Sequence, residues 1–240
     1  MKFWFLNLLG DFGTNITSNT GILDFGCGNG SVVKSLLDSG FNAQGCDLKF
    51  KPGMDVDFLT KSNLIHKINT DPYQLPYDND TFDVIITNQV MEHVQNYEET
   101  ITEMRRVLKP GGVCLHMFPS QLRPIESHVY VPFASIIRNY PYLLIWAMLG
   151  VRTNNQTGMN PKAIARENQT YLNTCTNYLS GREILNSFQK NGFENVCYVE
   201  DLFLKNSPNK RGRLLYKLGS KLPIVFGIYR LFWTRILIAY

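Results

Sequence analysis

Cysteine pairs are missing from this 240-residue chain: its five cysteines, at 27, 46, 114, 175 and 197, lie far apart and form no Cys-x-x-Cys. An odd, dispersed set excludes a disulfide framework and a cysteine-based zinc site, and it favours a reducing compartment. Long apolar runs are missing too. Asn139–Val151, the longest uncharged stretch near the middle, has 13 residues, against the ~20 that a membrane span needs. No repeat or low-complexity tract interrupts the chain, and its 18 glycines and 11 prolines are scattered, which excludes collagen-like and disordered classes. The third shortage is of acid in the tail. From Lys205 onward there are eight basic residues and no acidic one.

With 44% hydrophobic residues the chain can bury a core, and its length suits one large domain. Residues 1–120 carry a net charge of −5 and residues 121–240 one of +9, which together give +4. Lys2 precedes a brief apolar patch, Phe3 to Leu9, but Asp11 follows and no small-x-small cleavage site is evident. The expectation is a soluble, cytoplasmic protein.

Short apolar runs alternate with amphipathic ones over the first 120 residues. Gly21–Phe25 reads as a buried strand, Ser31–Ser39 as a helix stopped by Gly40, and Asn42–Asp47 and Leu64–Asn69 as the next strands. Phe82–Asn88 is β-branched and aromatic, the strongest strand pattern in the chain. Tyr97–Leu108 reads as a helix ending at Lys109-Pro-Gly-Gly112, and Val113–Phe118 as the fifth strand. This rhythm predicts a Rossmann-like, doubly wound, mostly parallel α/β sheet. It breaks at a Pro-, Asn- and aromatic-rich segment, about residues 119–178, and resumes with a helix at Ser180–Asn191 and strands at Phe193–Glu200 and Thr234–Tyr240. The chain is thus expected to be a single domain over 1–240, with a helical or loop insertion after strand five and an antiparallel last strand.

The first strand runs into Asp24-Phe-Gly-Cys-Gly-Asn-Gly30, and Asp47 ends the second strand. Glycines in a strand-to-helix turn let backbone approach a ligand, and an acidic residue about 20 positions on can take both hydroxyls of a ribose. Together they point to an adenosine-type cofactor. A short-chain NAD enzyme would carry Tyr-x-x-x-Lys, which is absent. Asp24, placed just before the turn, would oppose a pyrophosphate but suits a cationic group such as an amino-acid ammonium.

These residues resemble the class I S-adenosylmethionine-dependent methyltransferases. Ile22-Leu-Asp-Phe-Gly-Cys-Gly-Asn-Gly30 is similar to that family's first motif and Gly45-Cys-Asp-Leu48 to its second. Asp71-Pro-Tyr-Gln-Leu-Pro-Tyr77, Asn88-Gln-Val-Met-Glu-His93 and Leu108-Lys-Pro-Gly-Gly112 are similar to three later ones. The resemblance implies S-adenosyl-L-methionine as cofactor and S-adenosyl-L-homocysteine as product. Gly26, Gly28 and Gly30 would flank the methionine part, Asp47 with Leu48 would hold the ribose, Asp71 with Pro72 the adenine, and Asn88 and Gln89 the floor.

A sulfonium methyl is already activated, so the protein's task is to position a nucleophile and, where needed, to remove its proton. His93 follows the fourth strand at the expected substrate mouth. His128 begins the insertion, two residues from Glu126, so in an extended segment the carboxylate could orient the imidazole. These three are the candidate catalytic residues. His66 and His116 fall inside strands and read as packing or surface residues. No metal ligand set is expected.

Nucleobase amino methylation would show Asn/Asp-Pro-Pro-aromatic after strand four, and C5-pyrimidine chemistry a Pro-Cys; neither occurs. The reading is a methyltransferase for a small-molecule, lipid-like or glycan acceptor, with no nucleic-acid partner. Alternatives are a catalytically silent binding or scaffold subunit on the same fold, or a nicotinamide-dependent reductase. The insertion is expected to roof the site, with apolar Tyr140–Leu149 as a buried helix or pocket wall. For the basic tail, peripheral membrane contact is considered but not favoured: Phe232 and Trp233 are expected to pack on the sheet, its lysines to solvate a loop and Thr234–Tyr240 to form an edge strand. Oligomeric state has no signal in the sequence.

Overall fold

The computed structural model describes residues 3–240, so Lys2 lies outside the described residues. Strands β1 (Gly21–Phe25), β2 (Asn42–Asp47) and β3 (Ile65–Lys67) are followed by the small hairpin β4 (Asn69–Thr70) and β5 (Tyr73–Gln74). Then come β6 (Phe82–Asn88), β7 (Leu108–Pro119), β8 (Val196–Tyr198) and β9 (Thr234–Ala239). Seven of them form one sheet in the order β3-β2-β1-β6-β7-β9-β8. Every neighbouring pair is parallel except the two made by β9.

Helices α1 (Trp4–Phe12), α2 (Ser31–Leu37), α3 (Val56–Lys61) and α4 (Tyr97–Val107) cover the sheet through the first half. All five residues of β1 are buried, as expected of a parallel strand with both faces covered. Its alternation divides the core. Leu23 joins Phe82, Phe118 and Phe188 on one face, and Ile22 joins Leu8, Leu9 and Leu36 on the other.

Between β7 and β8 the chain forms α5 (Tyr140–Met148), α6 (Pro161–Thr174) and α7 (Gly181–Lys190). Asn139 and Asn160 cap α5 and α6, accepting from the amides of Tyr142 and Ala163, and a proline stands in each first turn. Val129, Val131, Leu143, Ala165 and Leu172 give this segment a small core of its own. A reciprocal Ser180–Glu183 capping box starts α7.

Several expectations need correction. Tyr140–Leu149 is not a buried helix: Leu143 and Ala147 are buried, but Ile145, Met148 and Leu149 are exposed. The predicted strand over 193–200 shrinks to Val196–Tyr198, because Phe193 turns into the core and Glu200 opens helix α8 (Glu200–Lys205). The tail is helical rather than a loop, forming α9 (Lys210–Gly219) and α10 (Ile224–Phe232). Trp233 does not pack away; it is 50% exposed. Finally, β9 is not an edge strand. It lies between β7 and β8, with Ile236–Ala239 buried and both of its sides hydrogen-bonded, and β8 takes the edge. No helix among the described residues is long and apolar enough to cross a membrane.

Candidate active site

The carboxyl ends of β1, β2 and β6 converge on a cavity of about 380 Å³. Gly26, Asp47, Leu48, Gln89 and His93 line it, with Lys51, Tyr73, Val90 and Tyr171. Four of the residues expected around a cofactor therefore share one wall with one expected base. The position is the one that parallel α/β sheets use for ligands, outside the strand ends.

The glycine turn is built for close approach. The amides of Gly26 and Cys27 both donate to the Cys46 carbonyl, at 2.7 and 3.1 Å, which binds the turn to β2. Gly26 has φ +79°, and a Cβ there would overlap the Val90 side chain that lines the cavity. The Gly28 amide donates to Asp47 Oδ2 at 2.8 Å, and the Lys49 amide to Oδ1 at 3.1 Å, so two backbone groups orient the acidic side chain. Asp24 is buried behind the turn, and burial together with the nearby Asp47 raises its carboxyl to about 7. Asp24 and Asn88 line a separate cavity of about 290 Å³ beside Trp4 and Ser31. Gly28 and Gly30 complete the turn without lining either cavity. Asp71 and Pro72 sit exposed on the β4–β5 hairpin, outside both cavity walls.

Gln89 follows β6 at φ +57°, an uncommon conformation for a residue with a side chain, and its amide donates to the Met117 carbonyl at 2.8 Å. The chain then makes a single 3₁₀ turn, Met91–His93, that aims His93 at the cavity. His93 Nδ1 lies 2.6 Å from the Cys175 carbonyl. A carbonyl only accepts, so Nδ1 carries the proton and Nε2 keeps its lone pair. Burial pushes the His93 pKa below 6.5, against the pull of that carbonyl, which keeps the ring neutral.

His128 comes to the same place from the insertion, its ring 4.8 Å from that of His93 in an edge-on arrangement. Its Nδ1 is 2.7 Å from Glu126 Oε1, so Nδ1 carries a proton and donates it to the carboxylate. Glu126 is buried and accepts from the His128 and Val129 amides and from the Tyr178 hydroxyl, at 2.7, 2.8 and 2.6 Å. Burial alone would raise its carboxyl, but these hydrogen bonds outweigh burial and hold it at about 2. The three expected catalytic residues thus form one cluster.

Glu92, which the sequence reading passed over, belongs to it. It is 1% exposed, neither carboxylate oxygen has a hydrogen-bond partner, and burial lifts its carboxyl to about 7. Ligand atoms of Glu92, His93 and His128 lie within 4.8 Å of one another, a set able to hold a cation. Ligand atoms around tetrahedral zinc at ~2.0–2.1 Å are only ~3.4 Å apart, so the side chains would have to close in to do so. Tyr171 was also missed; it lines the cavity from α6 and its ring lies 5.5 Å from His128. His116 and His66 lie elsewhere. His116 is buried against Thr87 and Phe188, its pKa lowered to about 3 by burial, and His66 meets the Asn63 carbonyl and the Tyr77 ring.

Sheet order, glycine turn and cavity define a Rossmann-like α/β protein with a ligand-sized cavity at its strand ends. Residues 5–198 match the model of a methyltransferase domain family, and the chain belongs to that family. It is 33% identical over 103 residues to a ubiquinone biosynthesis O-methyltransferase of Rickettsia typhi, covering 42% of each chain. It is 28% identical over 134 residues to a demethylmenaquinone methyltransferase of Staphylococcus haemolyticus, covering 54% of this chain and 55% of that one. The chain thus spans about half the length, or less, of these relatives. A Haemonchus contortus phosphoethanolamine N-methyltransferase solved with S-adenosylhomocysteine shares the fold, with a TM-score of 0.52 at 14% identity over 98% of this chain and 51% of that one.

Proposed function

We propose that the chain binds S-adenosylmethionine in the 380 Å³ cavity and methylates a hydroxyl-bearing small molecule. The observation that carries this reading is the shared lining: Gly26 of the glycine turn, Asp47, Gln89 and His93 all border one cavity. The residues fit the cofactor. A Cβ at Gly26 would collide with Val90 on the cavity wall, and Asp47 would offer its carboxylate, held from behind by Gly28, to a pair of ribose hydroxyls. Asp24 and Asn88, on the neighbouring 290 Å³ cavity, would serve a methionine end that runs past the turn into it, and Asp71 with Pro72 the rim near the adenine. When bound, the cofactor supplies an activated methyl group, and no metal takes part.

The chain's own work is then positioning and proton removal. Holding two reactants in line can be worth ~7–11 kcal/mol. His93 Nε2 takes the acceptor's proton, while Glu126, which orients His128, is the nearby negative charge that favours the cation His93 then becomes. The insertion over about 119–178 acts as the cap, supplying His128 and Tyr171. Oxygen is the atom proposed because a neutral, oriented imidazole suits a hydroxyl, and the relative from Rickettsia is named an O-methyltransferase. Calorimetry with S-adenosylmethionine, followed by transfer of labelled methyl to a panel of phenols, alcohols and amines, tests the proposal. Binding with no transfer to any of them would favour the silent binding subunit instead.

A further inference from the structure

We propose that α9 and α10 form a docking surface for anionic phospholipid. On α10, Ile224, Ile228 and Leu231 recur at i, i+4 and i+7 and are all exposed, Ile224 by 63%. No residue of α10 is buried. On α9, Leu214 and Leu218 form a second exposed pair, and Leu222 and Trp233 extend the apolar surface beyond the helices. Seven large apolar side chains are thus exposed between Leu214 and Trp233, whereas soluble surfaces normally expose such residues singly.

The stripe is not what holds the helices in place. The other side of α10 does that: Phe226 lies against Gly219 of α9, Tyr229 stacks on Trp233 with ring centres 6.1 Å apart and meets Phe203, and Arg230 pairs with the buried Glu200. Serine 120, at the root of the insertion, donates its amide to the Trp233 carbonyl and its hydroxyl to the Leu231 carbonyl. The surface is thereby fastened to the segment that carries His128.

Charge selects the occupant. Lys210, Arg211, Lys217 and Lys221 are exposed and have no carboxylate partner among the described residues, whereas Lys205 is paired with Asp11. No acidic residue follows Asp201. A second copy would bring like charge to the same face, and an acidic protein surface would leave the leucines and isoleucines in water. Anionic lipid satisfies both features, with aliphatic and Trp side chains at the acyl boundary and lysines reaching the headgroups.

The test is co-sedimentation of the full chain with vesicles of phosphatidylcholine alone and of phosphatidylcholine mixed with phosphatidylglycerol. Binding is expected to the anionic vesicles at low salt and to weaken sharply in 1 M salt. Lys217→Ala with Lys221→Ala should weaken it about fivefold per charge, and Ile224→Glu with Ile228→Glu at least tenfold per residue. Both pairs are exposed, so the thermal melt should not move. Absence of binding to anionic vesicles at low salt would overturn the proposal, as would wild-type binding by both variant pairs. Self-association abolished by the isoleucine pair, without vesicle binding, would assign the face to a second copy.

Discussion

Replacing Asp47 with alanine isolates the cofactor half of the account. Its carboxylate would accept two ribose hydroxyls while Gly28 and Lys49 hold it from the protein side at 2.8 and 3.1 Å. Hydrogen bonds to a charged acceptor contribute about 1.5–3 kcal/mol net. At 1.4 kcal/mol per decade, the dissociation constant for S-adenosylmethionine should therefore rise about 10- to 150-fold. The side chain is half-buried and its loss frees two turn amides that water can reach, so stability should fall by only about 1 kcal/mol. Asp47→Asn keeps an acceptor for the Gly28 amide and should lose less affinity than Asp47→Ala. Titration calorimetry with S-adenosylhomocysteine, alongside a thermal melt, separates binding from folding. An unchanged dissociation constant in Asp47→Ala, with the fold intact, would refute the placement of the ribose.

Replacing His93 with Gln should lower kcat by about 10²–10⁴-fold with little change in cofactor affinity, which single-turnover assays can measure. The rate should rise with pH through a midpoint below 6.5, because burial disfavours the His93 cation and the neutral base persists to lower pH; a midpoint above 7 would contradict this. Glu126→Gln should cost about 2 kcal/mol, read as a fall in Tm of about 4–8 °C. The Glu126 carboxyl is held at about 2 in the fold, so this contribution is complete above the ordinary carboxylate range and is lost as pH falls from about 4.5 towards 2. Chelation by EDTA should leave turnover unchanged; activity lost to EDTA and restored by Mn²⁺ or Zn²⁺ would turn Glu92, His93 and His128 into metal ligands.

The placing of Gly26 and Asp47 on one cavity was legible because its signals are local. A strand, its glycine turn and an acidic residue at the next strand end are set by backbone geometry over 24 residues, Asp24 to Asp47, and the structure puts Gly26 and Asp47 on one cavity. The meeting of His93 with His128 was only half legible. Glu126 and His128 could be paired from their spacing, but contact with His93 depends on how the insertion folds back. Inside that insertion Tyr140–Leu149 was anticipated as a helix or pocket wall, but α6 was hidden by its own cap: Asn160 with Pro161 reads as loop, although asparagine before an early proline also starts a helix. Tyr171 belongs to no motif, and nothing in its neighbourhood marked it. The tail failed for another reason. Ile224, Ile228 and Leu231 have helical spacing, and such a stripe is ordinarily assumed to face the core, whereas here the aromatic side of α10 faces inward.

A crystal structure with S-adenosylhomocysteine tests the central claim most directly. The account predicts ribose hydroxyls on Asp47, the cofactor following the glycine turn, and the sulfur facing the His93 side of the cavity. A ligand bound away from Asp47, or a sulfur buried out of reach of both His93 and His128, would contradict it.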